Sequence, residues 1–339
     1  MNKIKVGIVG SAGYTGGELL RVLIYHPHVD IIFANSVSNA GKKIYEVHND
    51  LFGDTELEFS TVFHSEIDVL FLCVGHGDAR VFLENNAVDP SVKIIDLSQD
   101  FRLKANTQYQ NGNFVYGLPE LNRDHIREAQ YIANPGCFAT TIQLGLLPLA
   151  AAGLLPDAVH INATTGSTGA GQKPGPTTHY SWRNSNLSAY KSFGHQHLQE
   201  ISESLNQLQS GFLPQGEQSL LERAAQKLHF IPQRGAFPRG IFASMYVEST
   251  LTEQQALDLY KAYYAEHPFT WVSDKNIDLK QVVNTNKSIM SLEKHGDQLL
   301  IVNATDNLLK GASGQAVQNM NLLFGIDERS GLNLKSVGF

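Results

Sequence analysis

The sequence has very little cysteine, since Cys73 and Cys137 are the only two among 339 residues. So few thiols exclude a disulfide-stabilised secreted scaffold, and each cysteine is interpreted as a free thiol. The sequence also lacks an apolar run long enough to cross a bilayer. The basic, apolar and small-residue regions of a signal peptide are missing too. We therefore expect a cytoplasmic protein that has no membrane partner.

An excess of basic residues is also missing. Lys and Arg number 26 against 33 Asp and Glu, and the formal net charge of −7 argues against nucleic acid as a partner. No Cys, His, Asp and Glu spacing typical of a metal site is visible, so we predict that the protein binds no metal. The length suits two domains, and 42% hydrophobic with 17% charged residues is typical of a globular protein.

Short apolar runs alternate with a helical pattern in the first third of the chain, which predicts a parallel sheet with crossover helices. The helix is predicted over Thr15–Tyr25, where it stops before Pro27. The predicted strands are Lys5–Val9, Ile31–Asn35, Val69–Val74, Lys93–Leu97 and Tyr131–Ala133.

Strands separated from helices follow Gly136, which indicates a second domain of α+β character. Thr252 and Gln255 predict a capping box that opens a helix through Ala265. Gln207–Gln226 is interpreted as an irregular excursion. The other predicted elements are helices over Gly136–Ala152 and Ser313–Phe324 and strands over Val159–Ala163, Ile241–Glu248 and Leu299–Ala304.

A glycine-rich turn joins the first predicted strand to the first helix and reads Gly10-Ser-Ala-Gly-Tyr-Thr-Gly16. Such a turn lets backbone N–H groups approach a pyrophosphate at a helix N-terminus. After the second strand, the place of an NAD-selecting acid is taken by Asn35-Ser-Val-Ser38, followed by Lys42 and Lys43. Hydroxyl groups and lysines without an acid favour NADP(H), and the pattern leaves open which lysine is used.

The two cysteines have different surroundings. Cys137 follows Asn134-Pro-Gly136 at the start of a predicted helix, where the helix dipole favours the nucleophilic thiolate. Cys73 lies in an apolar strand and is interpreted as a small hydrophobic residue. Cys137 is therefore the candidate nucleophile, and the alternative is a helix-start residue buried against the sheet.

Thiol chemistry also needs a proton carrier and groups that hold anions. His195 and His197, in Gly194-His-Gln-His197, are the candidates for the proton carrier. Arg102 follows the fourth strand and can hold a phosphate, or pair with Asp100 instead. Arg234 and Arg239 are candidates for binding a carboxylate, and either can equally be a surface arginine.

Taken in order, these motifs resemble the N-acyl-γ-glutamyl-phosphate reductases of arginine biosynthesis. The resemblance covers nearly the whole chain. It rests on the glycine turn, Asp96-Leu-Ser-Gln-Asp-Phe-Arg102, Val115-Tyr-Gly-Leu-Pro-Glu-Leu121, Asn134-Pro-Gly-Cys137, Gly194-His-Gln-His197 and the segment from Asp306 to Asn319. Phe138-Ala139 stands where the family more often has Tyr-Pro, and Gln196 replaces an arginine usual between the histidines.

The resemblance implies an α/β fold, with a Rossmann-type domain and an α+β catalytic domain of the glyceraldehyde-3-phosphate and aspartate-semialdehyde dehydrogenase type. It implies an NADP-binding domain of residues 1–135 plus 313–339 and a catalytic, dimerisation domain of residues 136–312. A homodimer or homotetramer and a small acyl-phosphate substrate are expected.

The predicted site residues fall into three groups. Cys137 and His195 are expected to be catalytic, His195 being preferred to His197 because it directly follows a glycine. The substrate-binding residues are expected to be Arg102, Asn134, His197 and Arg239. The cofactor-binding residues are expected to be Gly10, Ser11, Gly13, Tyr14, Thr15, Gly16, Ser36, Ser38, Lys42, Gly75 and Asn307.

The expected reaction is reduction of an acyl phosphate to an aldehyde through a Cys137 thioester. The acyl group can be acetyl or succinyl, and an aspartyl or aminoadipyl phosphate is an alternative substrate. The motifs also leave open a cysteine hydrolase and a non-catalytic NADPH-sensing protein.

Overall fold

The alternating strands and helices of the first third fold into a parallel sheet. The computed structural model describes residues 3–338, which divide into two compact units. The first comprises residues 3–136 and Ala312–Leu334, and the second comprises Cys137–Gly311 and residues 335–338. Residues 1, 2 and 339, which the predicted cofactor domain includes, lie outside the described residues.

The first unit is built around buried apolar strands. Its β4 has four residues and all of them are buried, which explains why a continuous apolar run replaces the usual alternation. The strands are β1 (Ile4–Val9), β2 (Val29–Asn35), β3 (Phe59–Ser60), β4 (Val69–Leu72), β5 (Lys93–Asp96), β6 (Gln108–Tyr109), β7 (Gly112–Tyr116) and β8 (Tyr131–Ala133). The helices in this stretch are α1 (Tyr14–Leu23), α2 (Asp78–Asn85) and α3 (Pro119–Glu128).

The sheet of this unit has the order β3-β2-β1-β4-β5-β8-β7-β6, and all its pairs are parallel except β6 with β7. The chain runs outward from β1 through β2 on one side and from β4 through β5 on the other. In such sheets, ligands bind at the carboxyl ends of the strands where the order reverses. The turns after β1 and β4 lie at that point.

The second unit has a mixed sheet. Its order is β10-β11-β9-β12-β15-β14-β13, with parallel pairs β11–β9 and β13–β14 and antiparallel pairs elsewhere. The helices are α4 (Cys137–Ala151), α5 (Tyr180–Arg183), α6 (His197–Leu208), α7 (Leu220–Lys227) and α8 (Glu253–Tyr264). The strands are β9 (Val159–Thr165), β10 (Ser188–Ala189), β11 (Leu228–Arg234), β12 (Ile241–Glu248), β13 (Thr270–Ser273), β14 (Ser288–His295) and β15 (Gln298–Thr305).

The long helix α4 is buried from Phe138 to Ala150, and only its first and last residues, Cys137 and Ala151, are partly or fully exposed. Gly145 lets Met245 approach, because a Cβ atom at Gly145 would lie 2.2 Å from Met245 Cε. The Tyr260 hydroxyl donates to the Gly145 carbonyl at 2.6 Å, and Asn303 Nδ2 donates to the Thr141 carbonyl at 2.7 Å. These contacts fix the helix that begins at Cys137.

The last helix, α9 (Ser313–Leu323), belongs to the first unit. It packs against α1 and α3, and the Ser313 hydroxyl donates to the Thr15 carbonyl at 2.8 Å. From Lys335 the chain lies with the second unit, where Asn284 Nδ2 contacts the Lys335 carbonyl at 3.4 Å. The predicted cofactor domain instead continues to residue 339.

Two local predictions have different outcomes. The capping box of Thr252 and Gln255 is confirmed at the start of α8. The interpretation of Gln207–Gln226 as irregular is wrong in part, because α7 begins after Ser219, which forms a capping box with Glu222. Ser-Leu-Leu-Glu is the sequence signal for that cap.

None of the helices within residues 3–338 is long and apolar enough to span a membrane.

Candidate active site

The turn after β1 has the backbone geometry of a phosphate-binding loop. Gly10 has a φ angle of +77°, and a Cβ atom there would lie 2.4 Å from the Cys73 carbonyl oxygen. A Cβ atom on Gly16 would lie 2.5 Å from the Ser11 Cα. Both positions therefore need glycine.

The N-terminus of α1 is open to a ligand. Gly13 is the N-cap residue, no side chain caps the helix, and the nearest atom to a Cβ on Gly13 would be 3.5 Å away. The first N–H groups of the helix, those of Tyr14, Thr15 and Gly16, have no acceptor within the helix itself. These features fit the pyrophosphate of a dinucleotide. The Ser11 hydroxyl is used differently, since it donates to the Asn35 carbonyl at 2.8 Å.

The end of β2 presents polar groups without an acid. Asn39 Nδ2 contacts the hydroxyl groups of Ser36 at 3.4 Å and Ser38 at 3.2 Å, and Lys42 Nζ donates to Asn39 Oδ1 at 3.1 Å. Lys43 pairs with Glu58 at 3.0 Å and with Glu56 at 3.5 Å. Lys42 is therefore the better candidate for a cofactor phosphate, because the charge of Lys43 is already neutralised.

Gly75 follows β4, the neighbour of β1. A Cβ atom at Gly75 would lie 2.6 Å from Asp78 Oδ2, so the turn into α2 is tight there. Gly75 thus lies with the Gly10 turn where the strand order reverses, as its predicted cofactor contact requires.

Cys137 is the first residue of α4 and is partly exposed. The Thr141 hydroxyl donates to the Cys137 carbonyl at 3.0 Å. A Cβ atom on Gly311 would lie 2.9 Å from the Cys137 Cβ, so only glycine fits beside this residue. Gly311 was not among the predicted site residues, although it lies in the segment from Asp306 to Asn319 that carries the family resemblance.

Cys73, by contrast, directly follows β4. Burial raises the pKa of the Cys73 thiol, and the nearby Asp96 carboxylate raises this pKa further. The backbone N–H of Cys73 donates to the Val9 carbonyl at 2.8 Å. This thiol is a poor nucleophile.

His195 is 4% exposed and lies beside the residue that follows Cys137. Its ring is edge-on to the Phe138 ring, with centroids 5.5 Å apart. A strained loop leads to it, because Lys191 and Phe193 have φ angles of 48° and 58°. The Phe193 N–H holds this loop by donating to the Phe230 carbonyl at 2.9 Å.

The imidazole of His195 is neutral near pH 7. Burial, followed by the nearby His197 and then Lys191, lowers the pKa of His195 to about 3. The backbone N–H of His197 points to His195 Nδ1 at 3.3 Å, which assigns the remaining proton to Nε2. His195 is thus a hydrogen-bond donor at Nε2 rather than a resting acid.

His197 is also buried and begins α6. Its ring centroid lies 4.6 Å from that of His195, and its Nε2 lies 3.8 Å from Glu200 Oε1. The two histidines and Glu200 therefore form one buried polar group.

Tyr190 and Arg234 complete this region. Tyr190 was not predicted as a site residue, because no motif surrounds it in the sequence. The ring centroid of Tyr190 lies 5.8 Å from that of His195, and the Arg234 guanidinium lies 4.6 Å from the Tyr190 centroid. Burial raises the pKa of Tyr190 to about 12, and the charge of Cys137 contributes to the shift. Tyr190 is thus within electrostatic reach of both Cys137 and Arg234.

Arg239 and Asn307 are held by partners within the second unit. Arg239 Nε and Nη2 contact the fully buried Asp306 carboxylate at 3.1 and 3.2 Å. Asn307 Oδ1 accepts from the Gly240 N–H at 2.7 Å, and its Nδ2 donates to Thr168 Oγ1 at 2.9 Å. A substrate contact by Arg239 and a cofactor contact by Asn307 stay predictions.

Arg102 and Asn134 are buried in the first unit. Arg102 Nε donates to the Asn134 carbonyl at 2.8 Å, and its Nη2 donates to the Leu97 carbonyl at 2.9 Å. The Asn134 side chain donates to the Ala312 carbonyl at 3.0 Å and accepts from Asn319 Nδ2 at 3.1 Å. Both residues fix the backbone that precedes Pro135, and their substrate contacts also stay predictions.

Two family models match the chain. The model described as semialdehyde dehydrogenase, NAD binding domain, matches residues 5–129. The model described as semialdehyde dehydrogenase, dimerisation domain, matches residues 137–307.

Curated relatives match almost the whole chain. The N-acetyl-gamma-glutamyl-phosphate reductase of Azobacteroides pseudotrichonymphae genomovar. CFP2 is 56% identical over 337 residues, which are 99% of this chain and 100% of the relative. The protein of the same name from Phocaeicola vulgatus is 55% identical with the same coverage.

Solved structures share the fold. The aspartate semialdehyde dehydrogenase II of Vibrio cholerae, complexed with ASA, has a TM-score of 0.73 at 16% identity and covers 96% of this chain and 99% of its own. The aspartate semialdehyde dehydrogenase of Candida albicans with NADP has a TM-score of 0.65 at 14% identity, with coverage of 95% and 99%. The predicted fold class is confirmed.

Proposed function

The chain belongs to the N-acetyl-γ-glutamyl-phosphate reductase family of semialdehyde dehydrogenases, and we propose that it reduces N-acetyl-γ-glutamyl phosphate to N-acetylglutamate 5-semialdehyde with release of phosphate. The resemblance predicted from the sequence motifs is confirmed by these relatives. The observation that carries the proposal is the full-length identity of 56%, together with a partly exposed thiol at the start of a buried helix.

Cys137 is the proposed nucleophile. Its place in the first turn of α4, at the positive end of the helix dipole, favours the thiolate. The sulfur attacks the acyl carbon, the bond from that carbon to the phosphate oxygen breaks, and phosphate leaves with the electron pair. A thioester on Cys137 remains.

NADPH, when bound, supplies the hydride that reduces this thioester. The chain's own contribution is to stabilise the oxyanion that develops on the acyl oxygen. We assign that role to the Nε2–H of His195 and to the backbone N–H groups at the start of α4. Collapse of the thiohemiacetal then breaks the C–S bond, releases the aldehyde and restores the Cys137 thiolate.

The sequence predicts that His195 carries a proton, whereas the structure favours a role as a neutral hydrogen-bond donor. A ring whose pKa lies near 3 is not protonated at neutral pH, so it holds the oxyanion through a hydrogen bond. The neutral ring can transfer its Nε2 proton to the oxyanion only if another proton reaches the ring in the same step.

The residues that would hold NADPH are those of the turn after β1 and the end of β2. The N–H groups of the first turn of α1 are suited to the pyrophosphate, and Ser38 with Lys42 to the 2′-phosphate. The structurally similar aspartate semialdehyde dehydrogenase of Candida albicans was solved with NADP, which supports NADP(H) as the cofactor.

We propose further that the protein is a homodimer or homotetramer, because the second family model is a dimerisation domain. Its location is proposed to be the cytoplasm, where the two free thiols stay reduced. We also propose that residues 1–135 and 313–339 form the cofactor domain and that residues 136–312 form the catalytic domain.

The test is the reverse reaction with purified protein. N-acetylglutamate 5-semialdehyde, NADP⁺ and inorganic phosphate should give reduced nicotinamide, and omission of phosphate should abolish steady-state turnover. Aspartate semialdehyde, under the same conditions, should react at least about tenfold more slowly. Turnover that does not need phosphate, or that prefers the aspartyl substrate, would refute the proposal.

A further inference from the structure

His48 is a buried histidine of the first unit that lies next to the glycine turn. It is 6% exposed and directly precedes a short 3₁₀ helix, Asn49–Leu51, between β2 and β3. Burial lowers the pKa of His48, so the ring is neutral at pH 7 and carries a single proton. A neutral imidazole has one N–H donor, and the acceptor of that donor indicates what the residue does.

The acceptor belongs to the turn after β1. His48 Nε2 lies 2.9 Å from the Ser11 carbonyl oxygen. A carbonyl oxygen can only accept, so Nε2 carries the proton and donates the hydrogen bond. Ser11 is fully buried, and no other donor among the described residues reaches its carbonyl. Without His48, this carbonyl would be a buried acceptor without a partner, which is costly.

The hydrogen bond from His48 fixes the peptide between Ser11 and Ala12. A trans peptide directs its C=O and its N–H to opposite sides, and no peptide bond within residues 3–338 is cis. The Ala12 N–H therefore points away from His48. Ala12 is partly exposed, and its N–H has no acceptor among the described residues. A free N–H in this turn, beside the open end of α1, is suited to a phosphate oxygen.

The surrounding residues make room for the His48 ring and hold it. A Cβ atom on Gly17 would lie 2.5 Å from His48 Cε1, so glycine is needed there even though it weakens α1 relative to alanine. The Phe59 ring also packs near His48, with centroids 6.0 Å apart. Arg21 of α1 donates from Nη2 to Asp50 Oδ1 at 2.7 Å, which ties the segment that contains His48 to the helix.

We propose that His48 is a positioning residue for NADPH, which holds the Ser11 carbonyl so that the Ala12 N–H faces the pyrophosphate. The proposal rests on the proposed cofactor site and adds to it a residue 37 positions away from Ser11. Because the turn is held in its binding conformation in the free protein, binding of the cofactor does not have to order it. His48 acts through the turn and takes no part in bond breaking.

The test compares His48→Leu and His48→Gln with the parent protein by titration of NADPH and NADH fluorescence. His48→Leu removes the donor and should weaken binding of both cofactors by the same factor, about 10- to 50-fold, because both contain the pyrophosphate. His48→Gln should recover most of the affinity, since its side-chain N–H can replace Nε2–H. The loss should also appear in KM for NADPH, with kcat changed less than about threefold.

His26→Leu is the matched control. His26 is also a buried histidine of the first unit, 3% exposed, and its Nε2 lies 3.1 Å from Asn321 Oδ1. It follows the C-terminal end of α1, at the opposite end of the helix from the glycine turn. The variant should lower the free energy of unfolding in urea, yet its Kd for NADPH should stay within about twofold of the parent value.

A second ligand separates positioning from general damage to the first unit. 2′-AMP has the adenosine and the 2′-phosphate of NADPH but no pyrophosphate. His48→Leu should therefore bind it within about twofold of the parent affinity. Gly17→Ala is a second variant, which displaces the ring without removing it and favours the helix. It should weaken NADPH binding at least about fivefold, because the Ser11 carbonyl loses its donor.

Unchanged NADPH affinity in His48→Leu overturns the inference. An equal loss in His26→Leu, an equal loss for 2′-AMP, or no recovery in His48→Gln overturns it too. If His48→Leu does not fold, Gly17→Ala decides, and an unchanged NADPH affinity in that variant has the same meaning. Failure of the proposed function is seen separately, as a parent protein that is inactive in the phosphate-dependent assay, because the titrations need no substrate.

Discussion

The turn after β4, around Cys73, and the start of α4, around Cys137, place the same side chain in opposite electrostatic surroundings. Cys73 lies beside the buried Asp96 carboxylate, and desolvation together with that carboxylate raises the pKa of its thiol. Cys137 lies in the first turn of a helix, and its charge acts on the nearby Tyr190. Both thiols are partly exposed, so the difference teaches that the reactivity of a thiol in this protein depends on its electrostatic surroundings more than on solvent access.

The largest expected effect separates the two thiols directly. Cys137→Ser should lower kcat more than about 1,000-fold, because a serine hydroxyl is not ionised where a thiolate is. Cys73→Ser should keep kcat within about threefold of the parent value, since a thiol with a raised pKa stays protonated and serves only packing there. Stopped-flow or steady-state measurement of nicotinamide reduction checks both. Similar losses of activity in the two variants would contradict the assignment of different roles to the two thiols.

The next effect concerns the donor beside Cys137. His195→Ala should lower kcat about 100- to 1,000-fold, the usual loss for an oxyanion donor, and His195→Gln should recover part of it through its side-chain N–H. Equal rates for the two variants would show that no hydrogen bond from this position is used.

His195 should also make folding sensitive to acid. Its pKa of about 3 in the folded state lies below the usual value of 6.5, so the unfolded chain takes up a proton first as the pH falls. The parent protein should therefore lose about 1–2 kcal/mol of stability relative to His195→Gln between pH 7 and pH 5. Urea unfolding at the two pH values measures this, and a constant difference between the proteins would contradict it.

The smallest expected effect concerns cofactor binding in the first unit and involves no chemical step. Lys42→Ala should weaken NADPH binding about tenfold and leave NADH binding unchanged, because only NADPH carries the 2′-phosphate. Lys43→Ala is the matched control, since Lys43 already pairs with Glu56 and Glu58. Titration of cofactor fluorescence compares them. Equal losses in the two variants would remove the preference for Lys42.

Much of this contrast was predictable from sequence, because it depends on residues that are close together along the chain. The glycine turn lies between a strand and a helix, and Cys137 begins a helix in which almost every residue is apolar. The spacing of apolar residues and the amino-acid composition are sufficient to predict such local features. The strands β1, β2, β4, β5 and β8 were predicted to within two residues for the same reason, whereas the strands β3, β6 and β7 were not predicted.

The rest depends on contacts between distant residues. Arg239 is engaged by Asp306, 67 residues away, and Tyr190 meets Arg234 across neighbouring strands. Both arginines are candidates from the sequence, and no local pattern distinguishes Arg234, whose Nε has no hydrogen-bond partner among the described residues, from Arg239. The depressed pKa of His195 likewise arises from burial, which the polar sequence Gly194-His-Gln-His197 does not reveal.

The most direct test of the central claim, a covalent acyl group on Cys137, is a single turnover without phosphate. N-acetylglutamate 5-semialdehyde and NADP⁺ should give one reduced nicotinamide per active site and then stop, because phosphate is needed to release the acyl group. Mass spectrometry of the trapped protein should find the N-acetylglutamyl adduct on the peptide that contains Cys137. The claim is contradicted if no burst and no adduct form in a preparation that turns over normally when phosphate is added.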